Sequence, residues 1–209
     1  MTKFPIRLSE KPYRKGNLFA TIAIVIFSAI FILMVFFNLT YTRIYVVGSS
    51  MKSTLTGAIA TDRPGGDYVY ICKYLQPRRG DIVVIDVGDR SLIKRVIALG
   101  GESVRLEDGV LYLKDKNGEE EYMVEEPYVD AANNQNKFKN TFDEVVVPEG
   151  YVFCMGDNRD NSEDSRGVYG CMSVNSIVGV VTGWSIQCKS MITNWNTFFE
   201  FTLPELFGS

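Results

Sequence analysis

The residues LFATIAIVIFSAIFILMVFF, Leu18 to Phe37, form an unbroken run of twenty residues without a charge. A helix of this length crosses about 30 Å of hydrocarbon, so the run predicts a transmembrane helix. A cleaved secretory leader is the alternative, because it also follows a basic stretch. Such a leader has a shorter apolar region and a small-residue cleavage site, and Asn38 to Arg43 provides no such site. We therefore expect a membrane anchor.

The two flanks of this run differ in charge. Five basic side chains precede it, whereas only Arg43 and Lys52 occur in the twenty residues after it. Basic flanks stay in the cytoplasm, so we expect a single-pass plasma-membrane protein with a cytoplasmic N-terminus and an outer domain from about residue 39. One acidic side chain also precedes the run, so the segment before it has a net positive charge. Because the whole chain has a net charge of −3, the outer part has a net charge of about −7. An acidic outer domain is unsuited to nucleic acid.

Short β-branched and aromatic segments follow the apolar run and alternate with glycine, proline and charged residues. This pattern is typical of antiparallel strands joined by tight turns. Val104 to Leu106 and Val110 to Leu113 flank Glu107-Asp108-Gly109, a strong hairpin signal. Few windows beyond the run show helical periodicity, so we predict an all-β outer domain of antiparallel strands. The other predicted strands are Val46–Val47, Asp67–Lys73, Asp81–Val87, Leu92–Ala98, Val145–Val147, Tyr151–Met155 and Ile177–Thr182.

Composition divides the chain into a cytoplasmic N-terminus (1–17), the transmembrane helix (18–37), a β core (38–101 and 145–190), an inserted cap-like lobe (102–144) and an aromatic C-terminal tail (191–209). The lobe contains an acidic stretch, Asp115 to Glu126, and a polar, turn-prone stretch, Ala131 to Asn140, for which we expect a mobile tip. The tail could lie at the membrane surface or pack on the domain. The sequence leaves both open.

The chain contains no histidine, which excludes a Ser-His-Asp triad and an HExxH zinc protease. Any hydrolase built from it must use lysine or a carboxylate as its base. The four cysteines are spaced by 82, 17 and 17 residues, which is no zinc-binding pattern. An outer domain permits disulfides, and disulfide bridges and buried free thiols are equally compatible with the spacing. No metal or cofactor is expected.

A serine and a lysine stand out as candidates for chemistry. Ser50 lies in the glycine-led segment Gly48 to Leu55, and loop serines are usually structural or solvated. Lys94 lies within a predicted strand, where it could be an edge lysine reaching into water. Alternation would instead place it on an apolar face, which desolvates the amine and lowers its pKa toward neutrality. The residues on that face would be Leu92, Val96 and Ala98. In hydrolases that have no catalytic histidine, a lysine can act as the general base for a nucleophilic serine.

A dense polar segment, GDNRDNSEDSR, runs from Gly156 to Arg166. As a calcium loop it fits poorly, because Arg159 occupies a ligand position and the central glycine is absent. A solvated charged loop is the simplest alternative. The interleaved aspartates and arginines favour a salt-bridged loop that holds other groups in place.

Four motifs follow one another along the chain: Gly48-x-Ser50-Met51-x-x-Thr54-Leu55, Arg79-Gly80-Asp81-Ile82-Val83, Lys94 to Gly101, and Gly156-Asp157-Asn158 through Asp164-Ser165-Arg166. In this order they resemble type I signal peptidase, over about residues 15 to 183. The resemblance implies an all-β catalytic core that borders the membrane, and a membrane-bound serine endopeptidase that removes signal peptides from exported preproteins.

The resemblance also implies residue roles. Ser50 would be the nucleophile, with its own backbone N–H among the oxyanion donors, and Lys94 the general base. Ser162 would hydrogen-bond and orient the lysine amine. Two ion pairs, Asp157–Arg95 and Asp164–Arg166, would fix the site. Shallow apolar pockets around Val46, Gly48, Met51 and Ile93 would accept small residues one and three positions before the cut.

Two positions depart from the family pattern. Ser53 stands where the family usually has proline, which predicts a less rigid loop after Ser50. Gly48 stands where some members have a hydroxyl donor, so the oxyanion would depend mainly on backbone N–H groups.

Two other functions remain as alternatives. A non-catalytic, signal-peptidase-like assembly factor for surface proteins of the pilus type would be expected to have lost the Ser–Lys pair. A self-cleaving Ser–Lys regulator of the cytoplasmic repressor type would lack the membrane span. The expected partners are therefore preproteins bearing signal peptides and membrane lipid, without nucleic acid.

Overall fold

The computed structural model describes residues 18–202 and residue 204. The predicted cytoplasmic segment 1–17 and the end of the predicted tail, residues 203 and 205–209, lie outside the described residues. The chain divides into two compact units at the Leu39–Thr40 bond. Each unit is therefore described by itself.

The described residues of the first unit form one helix, α1 (Leu18–Thr40), whose last residue already belongs to the second unit and which has 23 residues in all. Its mean hydropathy is 2.9 and none of its side chains is buried by protein. Length and apolar composition make it suitable to cross a membrane, as the sequence predicts. Asn38, Leu39 and Thr40 extend it beyond the predicted run.

The second unit is built mainly of antiparallel strands. These strands are β1 (Tyr41–Tyr45), β2 (Tyr68–Cys72), β3 (Ile82–Asp86), β4 (Ser91–Leu99), β5 (Ser103–Glu107), β6 (Val110–Lys114), β7 (Tyr122–Val124), β8 (Phe142–Val146), β9 (Tyr151–Met155), β10 (Met172–Ser173) and β11 (Ile177–Val181). Seven form one sheet in the order β1-β2-β11-β3-β4-β9-β10, and four form a second in the order β7-β6-β5-β8. The all-β prediction for the outer domain thus holds for its sheets.

Most predicted strands are present within one or two residues. The β5–β6 hairpin turns at Asp108 (φ 50°) and Gly109 (φ 83°), the two positive φ angles that a tight two-residue turn requires. The predicted strand at Val46–Val47 is wrong, because the strand is Tyr41–Tyr45. Val47 makes only an isolated parallel bridge to Ala58.

Side-chain alternation in β4 breaks after Val96. The pairing of β4 with β9 shifts register between Val96 and Ala98, as at a β-bulge. Val96 packs with Leu92 in one core cluster, whereas Ala98 packs with Ile97 in another. The prediction that Ala98 shares the face of Lys94 is therefore wrong, although Leu92 and Val96 pack together as expected.

The four-stranded sheet packs its inner face against one end of the larger sheet. Val104, Leu106, Leu111 and Leu113 from the smaller sheet share a buried cluster with Phe153 of β9. Burial of this kind stabilises the contact through the apolar area that both sheets remove from water. The smaller sheet therefore covers the part of β4 and β9 that contains Ile97, Ala98 and Phe153.

Helices at the C-terminal end contradict the expectation of few helical segments. They are α2 (Gly183–Gln187) and α3 (Lys189–Thr197), and a π-helical turn, Phe198–Thr202, follows. The described part of the tail packs on the domain, where Thr193 Oγ1 accepts a hydrogen bond from the Tyr68 N–H at 2.9 Å.

All four cysteines are free, which decides between the thiols and the disulfides that the spacing left open. Cys72 and Cys154 are buried in the core, and Cys188 is exposed. Burial raises the pKa of the Cys154 thiol, so that the thiol stays protonated at neutral pH. Cys154 thus contributes to the packing of the core and does not act as a nucleophile.

Candidate active site

The Lys94 amine and the Ser50 hydroxyl meet in the second unit, although 44 positions separate them. Lys94 Nζ donates to Ser50 Oγ at 2.8 Å. Lys94 projects from β4, where it is paired with Val83 of β3, and only 3% of its surface is exposed. The amine is therefore held on a rigid sheet rather than in water.

Burial changes the acidity of this amine. Desolvation lowers the pKa of Lys94 from 10.5 to about 8, with a smaller opposing effect of the Asp164 carboxylate. Removal of water disfavours the charged form, because few groups replace its hydration. At pH 7 about one Lys94 in ten is then neutral and able to accept a proton.

The segment that carries Ser50 is fixed by close backbone packing. The Ser50 carbonyl accepts a hydrogen bond from the Asn158 N–H at 2.9 Å, and the Gly48 N–H donates to the Ala58 carbonyl at 2.9 Å. A Cβ at Gly57 would collide with the Gly48 carbonyl, and one at Gly156 would lie 2.5 Å from the Ser50 carbonyl oxygen. Glycine is thus required where neighbouring segments cross the segment that carries Ser50.

The residue after this turn explains one departure from the family pattern. Ser53 has φ 110°, whereas a proline ring holds φ near −65°. Proline therefore cannot occupy position 53 with this backbone. Asn133 of the lobe also contacts the site here, with Nδ2 3.4 Å from Ser53 Oγ.

The first of the two expected ion pairs is formed beside the segment that carries Ser50. Arg95 Nε donates to Asp157 Oδ1 at 2.8 Å, and its Nη2 donates to Asp157 Oδ2 at 2.6 Å. Thr54 Oγ1 donates to the same carboxylate at 2.5 Å. Arg95 Nη1 reaches the Gly80 carbonyl, and the guanidinium lies 3.8 Å from the centre of the Tyr128 ring. Every polar edge of this buried pair is thereby satisfied, as a desolvated charge requires.

The second expected ion pair closes the other side of the polar segment. Arg166 donates to Asp164 through Nε at 2.9 Å and Nη2 at 2.8 Å. Burial acts to raise the pKa of Asp164, but the Arg166 guanidinium and the Gly156 N–H hold it below the ordinary range. Asp164 is thus an anion that faces the Lys94 amine, which accounts for its opposing effect on Lys94.

A third buried ion pair was missed by the sequence prediction. Arg159 has no exposed surface, and it donates to both carboxylate oxygens of Glu126, at 2.8 and 2.5 Å. Its Nε also donates to the Gly156 carbonyl at 3.1 Å. The Tyr128 hydroxyl donates to Glu126 at 2.7 Å. This pair joins the lobe to the polar segment. The two arginines within the polar segment, Arg159 and Arg166, were the sequence feature that indicated a further ion pair.

The expected hydrogen bond from Ser162 to the Lys94 amine is absent. Ser162 Oγ is buried and makes no hydrogen bond of ordinary geometry among the described residues, but it lies close enough to Asp164 to help lower the pKa of that carboxyl. Ser162 ends the short turn Arg159–Asn161 in an extended conformation, and a Cβ at Gly156 would collide with its side chain. Its hydroxyl is thus confined beside the Gly156 backbone, and the predicted contact with the lysine is not made.

The Ser50 N–H is available for an oxyanion. It donates no hydrogen bond within the described ranges 18–202 and 204, although its carbonyl is paired. An unpaired donor beside a nucleophilic oxygen is the geometry that stabilises a tetrahedral intermediate. Gly48 adds no side-chain donor to it.

An apolar cleft of about 530 Å³ leads to the Ser50–Lys94 pair. Its walls are mainly aliphatic, and all four predicted pocket residues, Val46, Gly48, Met51 and Ile93, line it. Arg90, which the prediction omitted, also lines the cleft and donates to Tyr169 at 2.7 Å and Glu163 at 3.0 Å. In the described residues, no group of three His, Cys, Asp or Glu side chains could hold a metal ion.

The comparisons with known proteins agree on one family. Residues 17–184 match the family described as signal peptidase, peptidase S26. Signal peptidase I U of Bacillus subtilis (strain 168) is 36% identical over 167 residues, which cover 75% of this chain and 83% of that protein. A signal peptidase I of Bacillus amyloliquefaciens is 33% identical over 86% of this chain and 92% of its own length. A solved signal peptidase I from Enterococcus faecalis V583 is 33% identical, covers 52% of this chain and 98% of its own chain, and has a TM-score of 0.42.

Proposed function

Since this chain belongs to the signal peptidase family, peptidase S26, we propose that Ser50 and Lys94 form the catalytic pair with which it removes signal peptides. The chain is a serine protease of the type I signal peptidase class, with an N-terminal apolar helix as its membrane anchor. The observation that supports the pair is the 2.8 Å contact between a buried amine and a hydroxyl at the end of an apolar cleft.

In the first half of the proposed reaction, neutral Lys94 accepts the proton of the Ser50 hydroxyl as Ser50 Oγ attacks the scissile carbonyl carbon. The carbonyl oxygen becomes an oxyanion and accepts a hydrogen bond from the Ser50 N–H. The Lys94 ammonium then gives its proton to the leaving amine. The C–N bond breaks and the mature protein leaves, while the signal peptide stays bound to Ser50 as an ester.

In the second half, a water molecule replaces the amine. Neutral Lys94 accepts a proton from this water, and the resulting hydroxide attacks the ester carbonyl. The C–O bond to Ser50 breaks, Ser50 Oγ recovers a proton from the Lys94 ammonium, and the signal peptide is released as a carboxylic acid. The role of the two buried ion pairs is to hold the amine and the hydroxyl at a fixed distance throughout.

The cleft supports a preference for small residues one and three positions before the cut. Met51 is 2% exposed and Ile93 is half-buried, so both present aliphatic walls close to Ser50. A substrate in extended conformation would direct alternate side chains into this wall, which is why positions one and three are selected together. The basic N-terminal flank further supports a single-pass orientation with the catalytic domain outside the cytoplasm.

Cleavage of an exported precursor by the full chain in detergent or vesicles tests the pair. Ser50→Ala and Lys94→Ala should each abolish cleavage, whereas Lys52→Ala, in the same turn, and Ser190→Ala, on α3, should cleave at the parental rate. Undiminished cleavage by either of the first two variants would defeat the assignment. A precursor with a bulky residue three positions before the cut should be cleaved much more slowly if the aliphatic wall selects small side chains.

No observation favours the non-catalytic assembly factor. Both members of the Ser–Lys pair are present and in contact. The membrane anchor likewise gives no support to a cytoplasmic self-cleaving regulator.

A further inference from the structure

The apolar cleft that leads to Ser50 and Lys94 also contains a second cation. Among the described residues that line the cleft, only Arg90 and Lys94 carry a full charge, and both charges are positive. The other walls are mainly aliphatic. Walls of low dielectric focus the field of such a charge, so the cleft favours an anionic group of a substrate over a cationic one.

Arg90 and Lys94 share one face of the β3–β4 hairpin. Arg90 directly precedes β4, and its carbonyl accepts a hydrogen bond from the Val87 N–H at 3.0 Å. Four positions of extended backbone separate the two residues, a span of about 13 Å at about 3.3 Å per residue. Because four is an even number, both side chains point to the same face. The Arg90 charge is accordingly among the effects that lower the pKa of Lys94.

The Arg90 guanidinium is fixed from one side and keeps free donors on the other. Its Nη2 donates to the Tyr169 hydroxyl at 2.7 Å and to Glu163 at 3.0 Å. Its Nε and Nη1 donate no hydrogen bond within residues 18–202 and 204. The carboxylates that act on it are Asp89 and Glu163, and water screens Glu163, whose side chain is 71% exposed. The guanidinium therefore retains N–H groups and part of its charge for another partner.

We propose that Arg90 is a specificity-determining residue that binds an acidic side chain five positions before the cut in the leader segment. This inference rests on the proposed function, in which the residue before the cut lies at Ser50 and Lys94. Residues one and three positions before the cut face the aliphatic wall, so alternation turns the fifth toward the same side. An extended leader advances about 3.3 Å per residue, which brings the fifth position level with Arg90. The free N–H groups of Arg90 donate to the carboxylate there.

Binding to the inactive chain tests this proposal. The full-length Ser50→Ala chain, in non-ionic detergent at low ionic strength, is titrated into fluorescent leader peptides, and anisotropy gives the Kd. The peptides have alanine one and three positions before the cut and differ only at the fifth position, which is Glu, Gln or Lys. Arg90→Glu reverses the charge in the cleft. Lys52→Glu, the matched control, makes the same change at an exposed residue near Ser50 that does not line the cleft.

We expect the chain with Arg90 to bind the Glu peptide about threefold to fivefold more tightly than the Gln peptide, and the Lys peptide most weakly. Arg90→Glu should reverse this order, and Lys52→Glu should retain it. Equal Kd values for Glu and Gln, or an order that Arg90→Glu leaves unchanged, would overturn the proposal. A reversal caused by Lys52→Glu as well would also overturn it, because the preference would then come from the net charge of the domain.

Cleavage of the same peptides by the chain with Ser50 separates this proposal from the proposed function. Peptides that are cleaved, but bound without regard to the charge at the fifth position, would overturn the role of Arg90 alone. Peptides that are bound in the expected order, but left uncut, would support the role of Arg90 and contradict the catalytic pair.

Discussion

Arg159 and Glu126 form a two-pronged ion pair that is buried from solvent, although one belongs to the polar segment beside Ser50 and the other to the lobe. Arg159 also donates a hydrogen bond to the Gly156 carbonyl, and Glu126 accepts one from the Tyr128 hydroxyl. Tyr128 in turn covers the Arg95 guanidinium. The lobe is therefore part of the framework that holds the proposed catalytic pair.

Glu126→Gln should destabilise the domain, because it leaves the buried Arg159 charge without a counter-ion. We expect a loss of about 3–5 kcal/mol in the free energy of unfolding and a lower cleavage rate. Chemical denaturation of the full chain in detergent measures the first, and precursor cleavage the second. Glu125→Gln, which removes the same charge from the exposed neighbour, serves as the control and should change neither. Equal stability of the two variants would contradict a structural role for the buried pair.

Gly156→Ala should reduce activity more than stability. Its Cβ would lie 2.5 Å from the Ser50 carbonyl oxygen and would also collide with the Ser162 side chain, so the nucleophile segment has to move. Displacements of about 1 Å from a reactive geometry cost on the order of 100-fold in rate. Gly183→Ala is the matched control, since a Cβ there meets nothing within 4 Å. A Gly156→Ala chain with parental kcat would show that the Ser50 position tolerates such a shift.

Lys94→Met should stabilise the protein at neutral pH while it abolishes cleavage. Folding lowers the pKa of Lys94 from 10.5 to about 8, so the folded state is penalised wherever the unfolded chain holds the proton. This penalty, about 3 kcal/mol, is complete below pH 8 and disappears as pH rises to 10.5. Unfolding free energies of both chains at pH 7 and at the alkaline limit measure the difference. A gain that does not shrink with rising pH would contradict a depressed pKa.

The sequence was sufficient to predict those helices, strands and turns that neighbouring residues along the chain determine. The uncharged run predicts α1, the Asp108-Gly109 turn predicts the β5–β6 hairpin, and β-branched alternation predicts most strands. The motifs of the Ser50 and Lys94 segments likewise suggested two groups that the fold brings into contact. Their contact itself depends on the register of β4 against β3, which periodicity does not specify.

What the sequence missed depends on long-range packing. α3 escaped detection because one of its two buried residues, Asn196, is polar, while Met191 and Trp195 are exposed, so its pattern is not that of a helix packed on a core. The bulge near Ile97 shifts the alternation of β4 through its pairing with β9, which lies more than fifty positions away. Ser162 was expected to orient Lys94, but in this structure its buried hydroxyl lies near the Asp164 carboxylate and makes no hydrogen bond to the amine.

The dependence of kcat/KM on pH tests the central claim most directly, that a buried neutral amine is the base. The full chain in detergent would cleave a leader peptide with alanine one and three positions before the cut, between about pH 6 and pH 10. The account predicts a tenfold rise per pH unit up to about pH 8 and a plateau above it. A rate that is flat through pH 8, or that still rises toward pH 10.5, would contradict it.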